Sequence, residues 1–264
     1  MATLRYDAGA AAYDRLTGRW SALFATACLD AVDVASSNRL LDLAAGTGDG
    51  ALLASRRLAS SASTTAVDLS VPMLAVARSK ASGQSVDVVA ADAQVLPFAD
   101  GAFDAGICLF GLMFFPEPLR ALAEVRRVMR RERRFCATVW STPEAAPFAG
   151  FVAKALSEVL PAEREDLLRP FSMSDPSRVA RLLTDAGFEK VAVRRESRIA
   201  RFSSFDDYWD PVEAGGGRLG QAYLSVPMAQ RSVVRQRVQG WLSQHTQGDA
   251  IETPLDAYLA IGHV

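Results

Sequence analysis

Short apolar runs alternate, between Arg39 and Trp140, with stretches whose apolar positions recur at helical spacing. Continuous apolar runs are typical of buried strands, whereas helical spacing is typical of helices with one buried face. Their regular alternation predicts βαβ units wound on a parallel sheet. The predicted strands of this region are Arg39 to Ala44, Ser63 to Leu69, Val86 to Ala91, Phe103 to Leu109 and Arg134 to Trp140.

The rhythm changes after Trp140. Residues 142–171 are rich in proline and alanine, and we expect two short helices there, over the sheet edge. Residues 203–248 are aromatic, then glycine-rich, then amphipathic, which predicts an inserted cap. The other predicted elements are helices at Asp49 to Ala59, from Val71 onward, at Pro118 to Met129 and at Asp175 to Gly187, and strands at Phe188 to Arg195 and Leu255 to Ile261.

The charge balance narrows the partners that the chain can bind. Its 264 residues include 29 basic and 30 acidic ones, a formal net charge of -1. This balance gives no general electrostatic attraction for nucleic acid. Six arginines between Arg126 and Arg134 admit two interpretations, an RNA-binding stripe or the solvated face of a helix, and the second is favoured. We expect no nucleic-acid partner.

Signals for export and for membrane insertion are also weak. The first residues lack an apolar core and reach an acidic residue almost at once. The longest apolar run, between Asp104 and Glu117, is shorter than the roughly 20 residues of a membrane-spanning helix. Cys28, Cys108 and Cys136 are odd in number and far apart, which predicts neither disulfides nor a metal site. We expect a cytoplasmic monomer or homodimer without a membrane span.

Closely spaced glycines lie between the first predicted strand and its helix, in the segment Leu41 to Gly50. Glycines at such a turn let the backbone approach a ligand. Gly46 and Gly48 also begin the looser spacing of a dinucleotide site. However, a dinucleotide rests its pyrophosphate on the helix N-terminus, where Asp49 would repel it. A cationic ligand without phosphate is better suited to Asp42 and Asp49.

Two aspartates follow the next two predicted strands. Asp68 comes about 20 residues after the glycines, where a carboxylate can accept hydrogen bonds from both hydroxyls of a ribose. The alternative is a solvated loop aspartate. Asp92 follows the third strand, where it can accept from an adenine amino group, and a structural role is equally open there.

These stretches together resemble the class I S-adenosylmethionine-dependent methyltransferases, most closely the ubiquinone and menaquinone biosynthesis type and its small-molecule relatives. The resemblance covers about residues 38 to 140. It implies an α/β, Rossmann-like doubly wound sheet of about seven strands, the last antiparallel, with a helical cap inserted late in the chain. The motifs that carry it are Leu41 to Gly50, Val67-Asp68-Leu69-Ser70 with Met73-Leu74, Leu96-Pro97-Phe98 leading to Phe103-Asp104, and Phe110-Gly111-Leu112-Met113.

The resemblance also implies S-adenosylmethionine as cofactor and a set of residues around it. The methionine part would lie on Ala44, Gly46 and Gly48, the ribose on Asp68, and the adenine on Asp92 and Ala93. The full set of implied cofactor-binding residues is Tyr13, Trp20, Asp42, Ala44, Gly46, Thr47, Gly48, Asp68, Leu69, Met73, Asp92, Ala93 and Leu109.

We predict that the chain divides into five parts. These are N-terminal lid helices (1–37), the cofactor-binding half (38–141), edge helices with strand six (142–202), the cap (203–248) and the final strand (249–264). One departure is clear, because Arg131-Glu132-Arg133 stands where the family usually has a Pro-Gly-Gly turn. We expect a locally different loop there, with the cofactor site retained.

The expected function is methyl transfer to an O, C or N atom of a small-molecule acceptor, mainly by proximity and alignment. A non-methylating, cyclase-like enzyme and a cofactor-sensing protein are the alternatives. His245 and Tyr208 are the candidates for a general base. The candidates for the acceptor pocket are Phe114, Phe148, Tyr208 and Trp209, and we expect the cap, residues 142–172 and the N-terminal helix to form a mobile lid.

Overall fold

A mixed β-sheet forms the centre of the protein, which is seen here in a computed structural model that describes residues 18–264. Its order is β3-β2-β1-β4-β5-β8-β6, and the short β7 pairs with β8 beside this path. The strands are β1 (Arg39–Leu43), β2 (Ser63–Asp68), β3 (Val86–Ala90), β4 (Phe103–Leu109), β5 (Met129–Trp140), β6 (Glu189–Phe202), β7 (Thr246–Gln247) and β8 (Ala250–His263).

Helices connect the strands and form the cap. A helical turn at Arg19–Ser21 precedes the first of them. Short 3₁₀ turns separate several of the others. The helices are α1 (Ala25–Ala31), α2 (Asp49–Arg57), α3 (Val71–Lys80), α4 (Pro118–Val128), α5 (Pro147–Val159), α6 (Arg164–Leu168), α7 (Pro176–Asp185), α8 (Phe205–Glu213), α9 (Gly217–Ser225) and α10 (Met228–Leu242).

The strand order confirms the predicted doubly wound sheet. Strands β1 to β5 pair in parallel, whereas β8 is antiparallel to both β5 and β6. Because βαβ crossovers are right-handed and the winding reverses between β1 and β4, α2 and α3 cover one face of the sheet and α4 covers the other. This reversal leaves a crevice at the carboxyl ends of β1 and β4.

The parallel strands form the centre of the core. Every residue of β1 except Arg39 is buried, and every residue of β4 except Leu109 is buried. A parallel sheet is covered on both faces, which explains why these strands are nearly continuous apolar runs. The side chains of Leu41, Phe103 and Ile107 are almost fully removed from solvent.

Side-chain caps position several helix starts. Ser70 Oγ accepts from the Met73 amide at 3.3 Å at the start of α3. Asp175 caps α7, and Ser204 Oγ accepts from the Asp207 amide at 3.1 Å at the start of α8. Each bond satisfies one of the amides that the first helical turn leaves without a partner.

The predicted limits of several elements were wrong. Residues 142–171 contain two helices, as predicted, but only α6 is short, because α5 extends over 13 residues. Strand β6 continues past the predicted Arg195 to Phe202, because it pairs with β8 as far as Ile251. This long antiparallel pair carries the chain from the sheet to the cap.

The glycine-free turn before the fifth strand is a bulge inside a longer strand. Strand β5 begins at Met129, and its register to β4 shifts between Phe103 and Ala105. Glu132 takes the left-handed conformation, with φ 63°, that glycine adopts most easily. Its amide donates to the Val264 carbonyl at 2.8 Å, so the bulge is bonded to the residue that follows β8.

The arginine cluster contacts its own fold. Arg127 bonds Glu124 and Asp100, and Arg130 bonds Asp104 at 2.7 Å. The Arg127–Asp100 pair joins the end of α4 to the loop before β4, and the Arg130–Asp104 pair joins the start of β5 to β4 itself. At least part of the cluster is therefore structural.

In the described part of the chain, no helix has both the length and the apolar character needed to cross a bilayer.

Candidate functional site

A cavity of about 260 Å³ opens at the carboxyl ends of β1, β2, β3 and β4. In doubly wound sheets ligands bind at this edge, where the strand order reverses. The strand-end half of its wall comes from the turn after β1, from the ends of β2 and β3, and from Leu109. The cap half comes from the segment after β4, from Trp140 at the end of β5, and from α5, α9 and a 3₁₀ turn.

The turn after β1 brings backbone to the cavity. Ala44 and Gly46 line it, with φ of 54° and 55°. A Cβ atom added at Gly46 would meet no atom within 4 Å, so this glycine faces open space. At Gly48 the added Cβ would lie 2.9 Å from Ala77 Cβ, so this glycine allows α2 and α3 to approach each other. The two glycines therefore have different physical roles.

Carboxylates lie at the carboxyl ends of the next two strands, since Asp68 is the last residue of β2 and Asp92 follows the end of β3 by two residues. Asp68 Oδ2 accepts from the Gly46 amide and its Oδ1 from the Ser70 amide, both at 2.8 Å. These two bonds orient a carboxylate that lines the cavity. Asp92 also lines the cavity, is exposed, and accepts from the Gln94 amide at 2.8 Å. The strand-end half is thus rich in hydrogen-bond acceptors.

The cap half of the cavity is aromatic. Phe110 and Trp140 stack with ring centroids 3.8 Å apart, and Phe148 lies 5.1 Å from Trp140. Phe110 has φ 56°, and its amide donates to the Thr138 carbonyl and hydroxyl, both at 3.1 Å. The other lining residues of this half are Gly111, Phe114, Phe115, Pro116, Ala149, Pro170, Arg218 and Leu219.

One buried carboxyl group lies below the glycine turn. Asp42, on β1, is 1% exposed, and neither carboxylate oxygen has a hydrogen bond of normal geometry to the described residues. Burial is the main cause that raises the pKa of Asp42 to about 8; the Ala51 amide opposes this rise, and Asp68 and Asp49 add to it. Asp42 is therefore mostly neutral at pH 7.

Comparisons with known proteins agree with this geometry. The family model described as a methyltransferase domain matches residues 41–137. A demethylmenaquinone methyltransferase from Beutenbergia cavernae is 37% identical over 186 residues, which cover 65% of this chain and 74% of the relative. The chain belongs to the class I S-adenosylmethionine-dependent methyltransferases, of the ubiquinone and menaquinone type.

Two further similarities define how far this match extends. A demethylmenaquinone methyltransferase from Thermus thermophilus is 40% identical over 136 residues, 50% of this chain, and the match spans 61% of that relative. The YcgJ protein from Bacillus subtilis has the same fold, with a TM-score of 0.59 and 20% identity over 90% of this chain and 97% of that one. The family model ends at residue 137, so it does not include the cap at residues 203–248.

The cavity fits the cofactor of this family. S-adenosylmethionine carries an amino acid, a ribose and an adenine, and it has no phosphate. The open space above Gly46 admits a ligand against the backbone, and the carboxylates of Asp68 and Asp92 face the cavity as acceptors. The predicted cofactor-binding residues that line the cavity are Ala44, Gly46, Asp68, Leu69, Met73, Asp92, Ala93 and Leu109.

Five predicted cofactor-binding residues remain, of which four are described by the structure and are not part of this wall. Asp42 and Thr47 are buried behind the turn, and Gly48 packs on α3. Trp20 is buried against Phe148 and Phe202, with ring centroids 6.5 and 5.0 Å away, so it supports the wall from behind. The fifth residue, Tyr13, lies outside the described residues.

The two candidates for a general base also lie away from the cavity wall. Tyr208 is 2% exposed, its hydroxyl donates to the Pro147 carbonyl at 3.4 Å, and burial raises its pKa. His245 is partly buried beside Phe151, which lowers its pKa. Both belong to the cap that the pattern predicted, but the packing directs them elsewhere. A catalytic role for either stays a prediction.

Only some of the candidates for the acceptor pocket line the cavity. Phe114 and Phe148 line the cavity. Trp209 is fully buried, and its indole donates to Glu213 at 2.7 Å, so it belongs to the interior of the cap.

Sequence reasoning did not select Trp140 or Arg218 for the pocket, although both line it. Trp140 ends a predicted strand, and a strand's carboxyl end is a signal for a site residue. Arg218 directly follows Gly215-Gly216-Gly217, but no local pattern showed that this stretch returns to the cavity.

Proposed function

We propose that this protein transfers the methyl group of S-adenosylmethionine to a flat, largely apolar small molecule. The observation that carries the proposal is one cavity with two unlike halves. Its strand-end half offers exposed backbone and two carboxylates, whereas its cap half is almost entirely apolar and aromatic. A polar cofactor and an apolar acceptor therefore have adjoining places.

The residues of the strand-end half would hold the cofactor. Ala44 and Gly46 would bind its methionine part through the backbone, and Asp68 would accept hydrogen bonds from the ribose hydroxyls. Asp92 and Ala93 would border the adenine. When bound, the cofactor supplies an electrophilic methyl group on a sulfonium.

The cap half would orient the acceptor and exclude water. Trp140 and Phe110 present a stacked aromatic surface, against which a planar molecule can pack. No histidine lines the cavity within residues 18–264. Alignment of the reacting atoms can lower an activation barrier by about 7 to 11 kcal/mol. This is more than a positioned general base contributes, because such a base raises the rate roughly a hundred- to ten-thousandfold. Positioning is therefore the main contribution that we assign to these residues.

The names of the relatives suggest the chemical class of the acceptor. Two of them are demethylmenaquinone methyltransferases, and a quinol ring matches an aromatic cavity. We include in the proposal a cytoplasmic location, where the methyl donor is made, and a monomeric or homodimeric state. We also propose that the cap and residues 142–172 form a lid. The N-terminal part of the predicted lid, residues 1–17, lies outside the described residues. Residues of α5 and α9 already form part of the cavity wall.

Calorimetry and isotope transfer test this function separately. S-adenosylhomocysteine should bind with a micromolar or lower Kd, whereas NAD should not bind. Methyl-labelled S-adenosylmethionine should then label reduced demethylmenaquinone. Binding of NAD without S-adenosylhomocysteine would overturn the assignment. Cofactor binding without label transfer to a panel of quinols and phenols would favour a non-methylating or sensing role.

A further inference from the structure

Arg218 is the one charged side chain in the cap half of the cavity wall, as far as residues 18–264 define it. It lies in the first turn of α9, and its side chain is only 13% exposed. Its neighbours in that half are apolar or aromatic, among them Pro170 and Leu219. A guanidinium at such a place loses most of its hydration, so its hydrogen bonds are significant.

Two carboxylates outside the cavity wall accept hydrogen bonds from this guanidinium. Its Nε donates to Asp166 Oδ2 at 2.8 Å, and its Nη2 donates to Glu163 Oε2. Glu163 ends a 3₁₀ turn and Asp166 lies in α6, so the pair joins α9 to the segment after α5. The guanidinium is thus fixed in orientation before any ligand arrives.

The third nitrogen of Arg218 is not used by these contacts. A guanidinium has five N–H donors on three nitrogens. The described residues supply acceptors to Nε and Nη2 only, and neither Glu163 nor Asp166 lines the cavity. Donors of Nη1 remain available on a side chain that lines an otherwise apolar compartment.

The charge of the cluster limits what these donors can bind. Arg169 Nε also lies 3.6 Å from Asp166 Oδ1, so two guanidinium groups and two carboxylates meet here. The group as a whole is therefore neutral and not positive. A ligand carboxylate or phosphate would gain from Arg218 but would be repelled by Glu163 and Asp166. A carbonyl or hydroxyl oxygen gains the hydrogen bond without that repulsion.

We propose that Arg218, held by Glu163 and Asp166, binds an uncharged oxygen of the acceptor and so determines acceptor specificity. This inference rests on the proposed function. It assigns the aromatic wall to the ring of the acceptor and Arg218 to its oxygen. Arg218 thereby selects oxygenated aromatic rings against both plain hydrocarbons and aromatic acids.

The test uses the full-length protein saturated with S-adenosylhomocysteine, and 1,4-naphthoquinone as probe. Trp140 is the tryptophan in the cavity wall, so a bound quinone should quench its fluorescence, and Trp140→Phe identifies that signal. All three cysteines are buried, which limits their reaction with the quinone. Naphthalene and 1-naphthoate, added as competitors, represent the ring without an oxygen and the ring with a charged group.

Arg218→Met keeps the apolar stem and removes the donors. We expect its Kd for 1,4-naphthoquinone to rise tenfold or more, with naphthalene competition unchanged within twofold. The matched control is Arg237→Met, which removes another cap arginine, paired with Glu158 outside the cavity wall. Its Kd should stay within twofold of wild type. An unchanged Kd for Arg218→Met, or an equal loss for naphthalene, would overturn the inference.

Glu163→Gln decides the matter if Arg218→Met does not fold. It leaves Arg218 in place and removes one negative charge from the cluster. Affinity for 1-naphthoate should rise threefold or more, while that for the quinone changes little. Tighter binding of 1-naphthoate than of the quinone to the wild-type protein would also contradict the inference. Failure of wild type to bind S-adenosylhomocysteine would instead contradict the proposed function.

Discussion

Asp42→Asn should change how the stability of the protein depends on pH. Asp42 is buried on β1, and its pKa is raised to about 8, mainly by burial. In the unfolded chain the pKa of an aspartate is about 3.9. Between these values the native protein holds a proton that the unfolded chain has released.

The sign and size follow from proton linkage. Because the native state binds more protons, the free energy of unfolding falls as pH rises, by about 1.4 kcal/mol per pH unit for one group. The contribution of the neutral Asp42 carboxyl to the free energy of unfolding is fully present below about pH 4 and is lost as pH rises towards about 8. Asparagine has nearly the same size and does not titrate. From pH 5 to pH 7, the unfolding free energy of Asp42→Asn should rise by about 2 to 3 kcal/mol relative to wild type.

Urea unfolding at pH 5, 6, 7 and 8 measures this difference. The new buried amide in Asp42→Asn shifts the free energy of unfolding at every pH. The test therefore compares the slopes of the two curves of unfolding free energy against pH, and not their absolute values. The matched control is Asp249→Asn, an exposed aspartate, whose curve should run parallel to that of wild type. A parallel curve for Asp42→Asn as well would show that Asp42 is already ionised in the folded protein, and the reasoning from burial would be wrong.

Three further changes test the site and the fold. Asp68→Ala should weaken S-adenosylhomocysteine binding by about 2 to 4 kcal/mol in calorimetry, because a charged acceptor is lost; a collapse of the apo melting temperature with affinity retained would make Asp68 structural. His245→Ala should lower kcat by less than about a hundredfold, and a loss of many thousandfold with substrate binding intact would identify an essential base. Glu132→Gly should raise the unfolding free energy by up to about 1 kcal/mol, because glycine adopts the left-handed backbone conformation of this position without steric strain. Glu132→Ala should not raise it. Equal effects of the two substitutions would refute this explanation.

The parallel sheet and the cofactor half could be predicted because their signals are local. Apolar runs mark buried strands, and β4 has the predicted limits, Phe103–Leu109. A turn that needs the left-handed backbone conformation favours glycine, as at Gly46, and such a turn involves only a few successive residues. Asp68 directly ends its strand, so the topology of a parallel sheet brings it to the same edge as that turn. Neighbouring residues along the chain are enough to specify each of these features.

Only the tertiary structure decided what the cap contributes. The aromatic residues predicted for the acceptor pocket could not be told apart in the sequence, but Tyr208 and Trp209 pack inside the cap, whereas Phe148 of α5 lines the cavity. Arg218 meets Glu163 and Asp166 across a long stretch of chain, and no short-range pattern encodes that encounter. The orientation of such a side chain depends on how whole helices pack together, since packing selects one fit among many that the same hydrophobic pattern allows.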